Sequence, residues 1–275
     1  MKKNLLNLAI LGLMLFAIFI PISVNAEEHV GLSYEIKNGE AVITRCANDV
    51  SGTVVIPETI DDYPVTCIGE RAFYNHPGVT KVIIPDSVVT IGYRALYGCV
   101  GLTDVKIPDG VLTIECEAFF GCDKLDNIKI PDSLINIGED AFRNSGYYNN
   151  SSNWEDDVLY LGDFLIEAKF KSGDYSIRQG VKYIADSAFD NCWGLTNVNI
   201  PDGVVNIGGG AFYGCFNLIN ASIPDSVTDI DSSAFSGCTR LTNIKIPESV
   251  INIGNRAFEK CTSLTSVEIP NSVNK

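Results

Sequence analysis

The chain has 275 residues, 46% of them hydrophobic and 20% charged, a globular and not a disordered balance. Thirty-four acidic against 20 basic side chains give a net charge of −14, which excludes the basic footprint of a nucleic-acid binder and opposes docking on an anionic membrane. Two His all but exclude a multi-histidine metal centre, and nine Cys, an odd number, leave at least one thiol without an intrachain partner.

Met1-Lys2-Lys3, the apolar run Leu5 to Ile20 and the small-x-small site Val24-Asn25-Ala26 follow the plan of a secretory signal peptide over 1–26. The apolar run is shorter than the roughly 20 residues a span needs. We therefore expect a secreted or extracellular chain, free or cell-surface associated, with no membrane span after cleavage. Next, Tyr34-Glu35-Ile36-Lys37 and Ala41-Val42-Ile43-Thr44 flank Asn38-Gly39 and predict a hairpin within a capping segment, 27–56.

A repeat then dominates. Ile-Pro recurs with Pro at 57, 85, 108, 131, 201, 224, 247 and 270; Ala-Phe recurs at 72, 118, 141, 188, 211, 234 and 257, with Ala95-Leu96 as a variant. The common interval is 23 residues. The alternation of Leu102, Val105 and Ile107 predicts a half-buried strand. Pro-Asp-Ser or Pro-Asp-Gly turns the chain, with the Asp or Ser side chain bonding its own backbone. Val88-Val89-Thr90-Ile91 is a second short extended piece, Gly92 allows a bend, Ala95 and Leu96 point inward, and Gly98-Cys99 closes the circuit. One such unit cannot fold alone: each apolar site contributes ~1.5–3 kcal/mol only when neighbours cover it, and ordering each residue costs ~1–2 kcal/mol. A stack of units is stable, which is the physics of a solenoid.

Two departures interrupt the period. Five extra residues, including Asp61-Asp62-Tyr63-Pro64, predict a surface loop. Twenty-four extra residues between Ser145 and Arg178 open with a polar loop, Gly146 to Asn153, and continue as a hairpin turning at Gly162-Asp163. We expect this insert, 146–177, to fill one layer between repeat blocks 57–145 and 178–275, the alternative being a projecting flap. The second block stops in mid-repeat.

The motif L-x-x-V-x-I-P-x-S-V-x-x-I-G-x-x-A-F-x-G-C, almost unbroken at 79–99, 102–122, 195–215 and 241–261, strongly resembles the BspA-type leucine-rich repeat proteins of bacteria. The resemblance implies a β-rich solenoid: a right-handed leucine-rich-repeat coil stack with short strands, turns and little regular helix. It also implies a place on the outside of a bacterium and adhesion to an extracellular protein, either a host matrix protein or another bacterial surface protein. The alternative is a structural spacer, or a component that self-associates through the uncapped C-terminal end.

No catalytic, cofactor or metal site is expected. Cys99, Cys122, Cys192, Cys215, Cys238 and Cys261 share one repeat position, with His76 and Ser145 in two other coils. They predict a column of buried thiols; inter-coil disulfides or a metal ladder are the alternatives, both of poor geometry. Asp86, Asp109, Asp132, Asp202 and Asp225 read as turn makers, without a calcium-roll motif. Binding is expected on aligned surface columns. Lys106, Lys129 and Asn199 lie in one, Asn127 and Asn197 in another. A third, after the buried Phe, carries Tyr74, Tyr97 and Phe120. With Tyr147, Tyr148 and Trp154 of the insert, these are the candidate partner contacts, since aromatics are enriched at interface hot spots.

Overall fold

A 23-residue unit with two short apolar stretches buries them only by laying each beside its counterpart one repeat on. The computed structural model, which describes residues 31–169 and 172–274, does this throughout. The fold is a β-solenoid of about nine turns with almost no helix. The signal peptide expected over residues 1–26 lies outside the described residues.

Two faces carry the strands. On the first, which we call the V-x-I face, Gly52–Val55, Val79–Ile83 and Asp104–Lys106 pair in parallel, with Lys81 opposite Asp104 and Val82 opposite Val105. A second sheet on this face contains Gly173–Ser176, Leu195–Asn199, Asn220–Ser222 and Asn243–Ile244. Gly52–Val55 lies inside 27–56 yet is the first rung of the stack. On the T-I face, Tyr63–Ile68, Thr90–Ile91, Thr113–Ile114 and Asn136–Ile137 form one parallel run. Phe164–Ala168, Tyr183–Ile184, Asn206–Ile207, Asp229–Ile230 and Asn252–Ile253 form another. The strands Leu32–Lys37 and Glu40–Cys46 make the antiparallel hairpin expected around Asn38 and Gly39, and the second of them covers Tyr63–Ile68.

The third side of each coil has no strands but is equally regular. The N–H groups of Phe73, Phe119, Phe189 and Phe212 each donate to the carbonyl of the next coil's inward Ala at 2.7 Å. Two columns of left-handed residues turn the chain here. One holds Arg71, Arg94, Glu117, Asp140, Ser187, Gly210, Ser233 and Arg256; the other precedes the Cys position and includes Asn75, Gly98, Asn191 and Gly214. The buried Phe rings stack through the core: Phe189, Phe212 and Phe235 follow one another at centroid distances of 5.0 Å.

Three local expectations are revised. Gly92 is not a bend: its Cβ would lie 2.8 Å from the Ile68 carbonyl oxygen, which accepts its N–H, so the residue is small because two layers meet there. The turn Ser does not bond its own backbone; Ser87, Ser226 and Ser249 donate to Val65, Val204 and Val227 of the preceding coil at 2.7–2.8 Å. The 61–64 loop is a tight hairpin, Thr59–Ile60 against Tyr63–Ile68, with Asp61 and Asp62 both left-handed.

The insert begins as a helical turn, Gly146–Asn149, and a 3-10 turn, Ser151–Asn153, not as a loop. It continues as a three-strand meander, Trp154–Glu155, Val158–Leu161 and Phe164–Ala168. The last strand joins the T-I face: Phe164 lies opposite Tyr183 and Leu165 opposite Ile184. Val158, Phe164 and Leu165 belong to the same apolar cluster as Phe142 and Phe189, so the core runs unbroken from Leu32 to Cys261.

Candidate functional site

The thiols are structural. All nine Cys are free, and the six of the repeat column are buried. Each donates its S–H to the carbonyl of the residue in the Phe position of the preceding coil: Cys99 to Phe73 at 3.0 Å, Cys122 to Leu96 and Cys215 to Phe189 at 3.2 Å. His76 does the same with Nε2, 2.9 Å from the Cys46 carbonyl. Burial pushes the Cys99 thiol up to about 12 and Cys122 well above its ordinary value. Cys67 is half-buried, and burial, helped by Glu115, raises it to about 11. These are poor nucleophiles, because the thiolate is the reactive form. Among the described residues no group of three or more His, Cys, Asp or Glu is placed to hold a metal ion.

Where the insert meets the stack, five carboxylates line a small crevice of about 90 Å³: Glu139, Asp140, Glu167, Asp186 and Asp190, with Arg143 among them. Burial raises Asp186 to about 6, although the Gly209 N–H, 2.7 Å away, opposes the rise. Burial likewise raises Glu139 and Asp190. Repeat position does not reveal this crevice, because Glu167 arrives from the non-repetitive strand.

The candidate contacts fall into three places. Lys106, Asn127, Lys129 and Asn199 are exposed on the V-x-I face. Asn197 is half-buried there in a side-chain ladder: it donates to Asp174 at 2.6 Å and accepts from Asn220 at 2.7 Å. Tyr74, Tyr97 and Phe120 stack on one another, at 5.1 and 4.9 Å, with the Arg94 guanidinium 5.3 Å from the Tyr97 ring and bonded to Glu117. Their faces are spent on each other, so a partner meets mainly ring edges and the cations.

The insert aromatics divide. Tyr148 is a correction: it is 8% exposed, its hydroxyl donates to Glu167 at 2.9 Å, and its ring packs edge-on against Trp154, so it cannot serve as a contact. Trp154 is half-buried, its indole N–H donates to the Tyr148 carbonyl and Lys169 sits 3.8 Å from its ring centre, so it too is chiefly a fastening of the insert. Tyr147 reaches the V-x-I face instead. With Asn127 and Lys129 it lines an open groove of about 630 Å³ that also contains Asp123, Asn149 and Asn153.

An aromatic pair escaped the column reading. Trp193 is 59% and Phe216 46% exposed; their rings are 6.5 Å apart, and Asn191 accepts the indole N–H. They occupy the position just after the Cys, where Val100 and Asp123 stand in earlier coils. Aligning that position would have found them.

The BspA type leucine rich repeat profile matches residues 53–162 and 161–275. The chain belongs to the BspA-type leucine-rich repeat family. Solved structures similar to this BspA-type chain include a leucine-rich repeat protein of Bacteroides capillosus, 36% identical over 44% of this chain and 91% of that one, TM-score 0.40. A leucine rich cell surface protein of Faecalibacterium prausnitzii is 24% identical, covering 87% and 93%, TM-score 0.42. The pneumococcal vaccine antigen PcpA is 18% identical, covering 88% and 81%, TM-score 0.43. No curated protein matches the chain. Among the described residues no helix is long and apolar enough to cross a membrane.

Proposed function

We propose that this BspA-type chain is a non-catalytic binding module of the bacterial surface or exterior that presents its V-x-I face to another protein. The observation that carries this is the face itself: Lys106 and Asn199 stand outward on parallel-paired strands, and Asn127 and Lys129 stand outward on the rung between their two sheets, all over an unbroken core on a scaffold whose repeat-column thiols are buried. Such a surface is rigid before a partner arrives, so little ordering cost falls on binding. The signal-like residues 1–26 support export.

The test is a screen of the chain without residues 1–26 against host matrix proteins and bacterial surface extracts. A captured partner should bind the Lys106→Glu, Lys129→Glu double variant at least tenfold more weakly, with the melting temperature unchanged. A chain that retains nothing, and grows with concentration in sedimentation, would favour the structural-spacer reading.

A further inference from the structure

The layer that holds the insert is one strand short. On the T-I face it supplies Phe164–Ala168. On the V-x-I face it supplies only the turns Gly146–Asn149 and Ser151–Asn153, and the face splits into a three-stranded and a four-stranded sheet. Asn127–Ile130 is the rung before the break and belongs to neither sheet. It keeps the exposure pattern of a strand, with Asn127 and Lys129 out and Ile128 in. Yet among the described residues none of its main-chain N–H or C=O groups has a hydrogen-bond partner in the protein. The rung after the break, Gly173–Ser176, pairs in parallel with Leu195–Asn199 and is the first strand of the four-stranded sheet among the described residues.

The insert cannot fill the vacancy itself. Gly146 and Tyr147 are fixed to the coil below by bonds to the carbonyls of Cys122 and Leu125, at 3.1 and 2.8 Å. The Tyr147 carbonyl accepts from Asn153, and the Tyr147 hydroxyl donates to the Tyr160 carbonyl at 2.6 Å. These bonds hold the turn against the coil below and against the insert's own strands. What remains beside Asn127–Lys129 is the 630 Å³ groove, walled by Tyr147, Asn149, Asn150 and Asn153. An unpaired rung of four residues, about 13 Å long, is a template for another strand.

We propose that this groove takes one extended polypeptide segment of the partner protein, added edge to edge to Asn127–Ile130 as the strand the insert leaves out. This rests on the protein-binding reading and says where and how the partner is held. Main-chain pairing supplies the affinity in such strand addition, and side-chain pockets supply the choice. Here the walls are an aromatic ring and amides, with Asp123 and Asp126 near Lys129, which suits a segment of polar residues with little net charge and no Pro at the paired positions.

The test uses the chain without residues 1–26 and a displayed library of random heptapeptides. Free, the amides of Asn127–Ile130 should exchange with solvent as fast as those of an unpaired loop. A selected peptide, synthesised and bound, should slow them at least tenfold. N-methylation of the alternate peptide amides that face the rung should weaken binding at least tenfold, while methylation of the other set leaves it nearly unchanged. Protection of Asn127–Ile130 in the free chain overturns the proposal, as does a selection that yields no binding peptide. Peptides that protect only another part of the solenoid overturn it while leaving protein binding intact. Equal sensitivity to both methylation sets overturns it too.

Discussion

Phe212→Ala should be the most damaging single truncation of the second repeat block. Phe212 is fully buried, with Phe189 and Phe235 each 5.0 Å away on either side. Removing a buried Phe side chain costs about 3–5 kcal/mol, and two stacked neighbours, each worth roughly 0.5–1.5 kcal/mol, place this site at about 5 kcal/mol. Phe258 sets the comparison: it is only partly buried and has one ring neighbour, Phe235, at 5.6 Å. Its truncation should cost roughly 1.5–3 kcal/mol. Because each coil touches only its neighbours, the loss at Phe212 also uncouples the last coils from the rest. Urea unfolding of both variants, followed by far-ultraviolet circular dichroism and by the fluorescence of Trp154 and Trp193, reads the difference. A Phe212→Ala cost below about 1.5 kcal/mol, or one equal to that of Phe258→Ala, would refute the stacking argument.

Three further outcomes are expected. With Cys67 raised to about 11, a disulfide reagent at pH 8 should label it about a hundredfold more slowly than a free thiol, while all nine Cys react after denaturation; prompt labelling of a repeat-column Cys in the native chain would contradict its burial. Asp186, raised to about 6 by burial, has a folded value above its unfolded one, so its protonated form favours the fold and stability falls as pH rises through 6. Asp186→Asn should therefore stabilise the chain at pH 7 by on the order of 2 kcal/mol and make no difference near pH 4; an advantage independent of pH would show another cause. Gly210, left-handed at φ 61, should cost about 1 kcal/mol when changed to Ala, seen as a lower urea midpoint. An unchanged midpoint would show that this turn relaxes.

The repeat was legible because each position answers one physical demand, and 23-residue spacing displays all the answers side by side. Inward Leu, Val, Ile, Ala and Phe, the buried Cys column and the hairpin around Asn38 and Gly39 could all be read from residue type. What the spacing hides is contact between coils. Ser87 could be recognised as a turn residue, but only the stack shows that its hydroxyl reaches Val65. Left-handed turns at Arg71, Glu117 and Asp140 carry no Gly to announce them. The insert was least legible. Its aromatic content suggested contacts, whereas Tyr148 and Trp154 are consumed in fastening it, and the charged crevice and the missing strand arise from how a non-repetitive segment meets a repetitive one.

The central claim is one continuous stack through the insert. Hydrogen exchange on the native chain, resolved by segment, tests it most directly. The amides of Phe164–Ala168 should be protected to the same degree as those of Tyr183–Ile184 and Thr113–Ile114, with which they share a core. Exchange of Phe164–Ala168 orders of magnitude faster than both would mean a detachable flap between two separate solenoids.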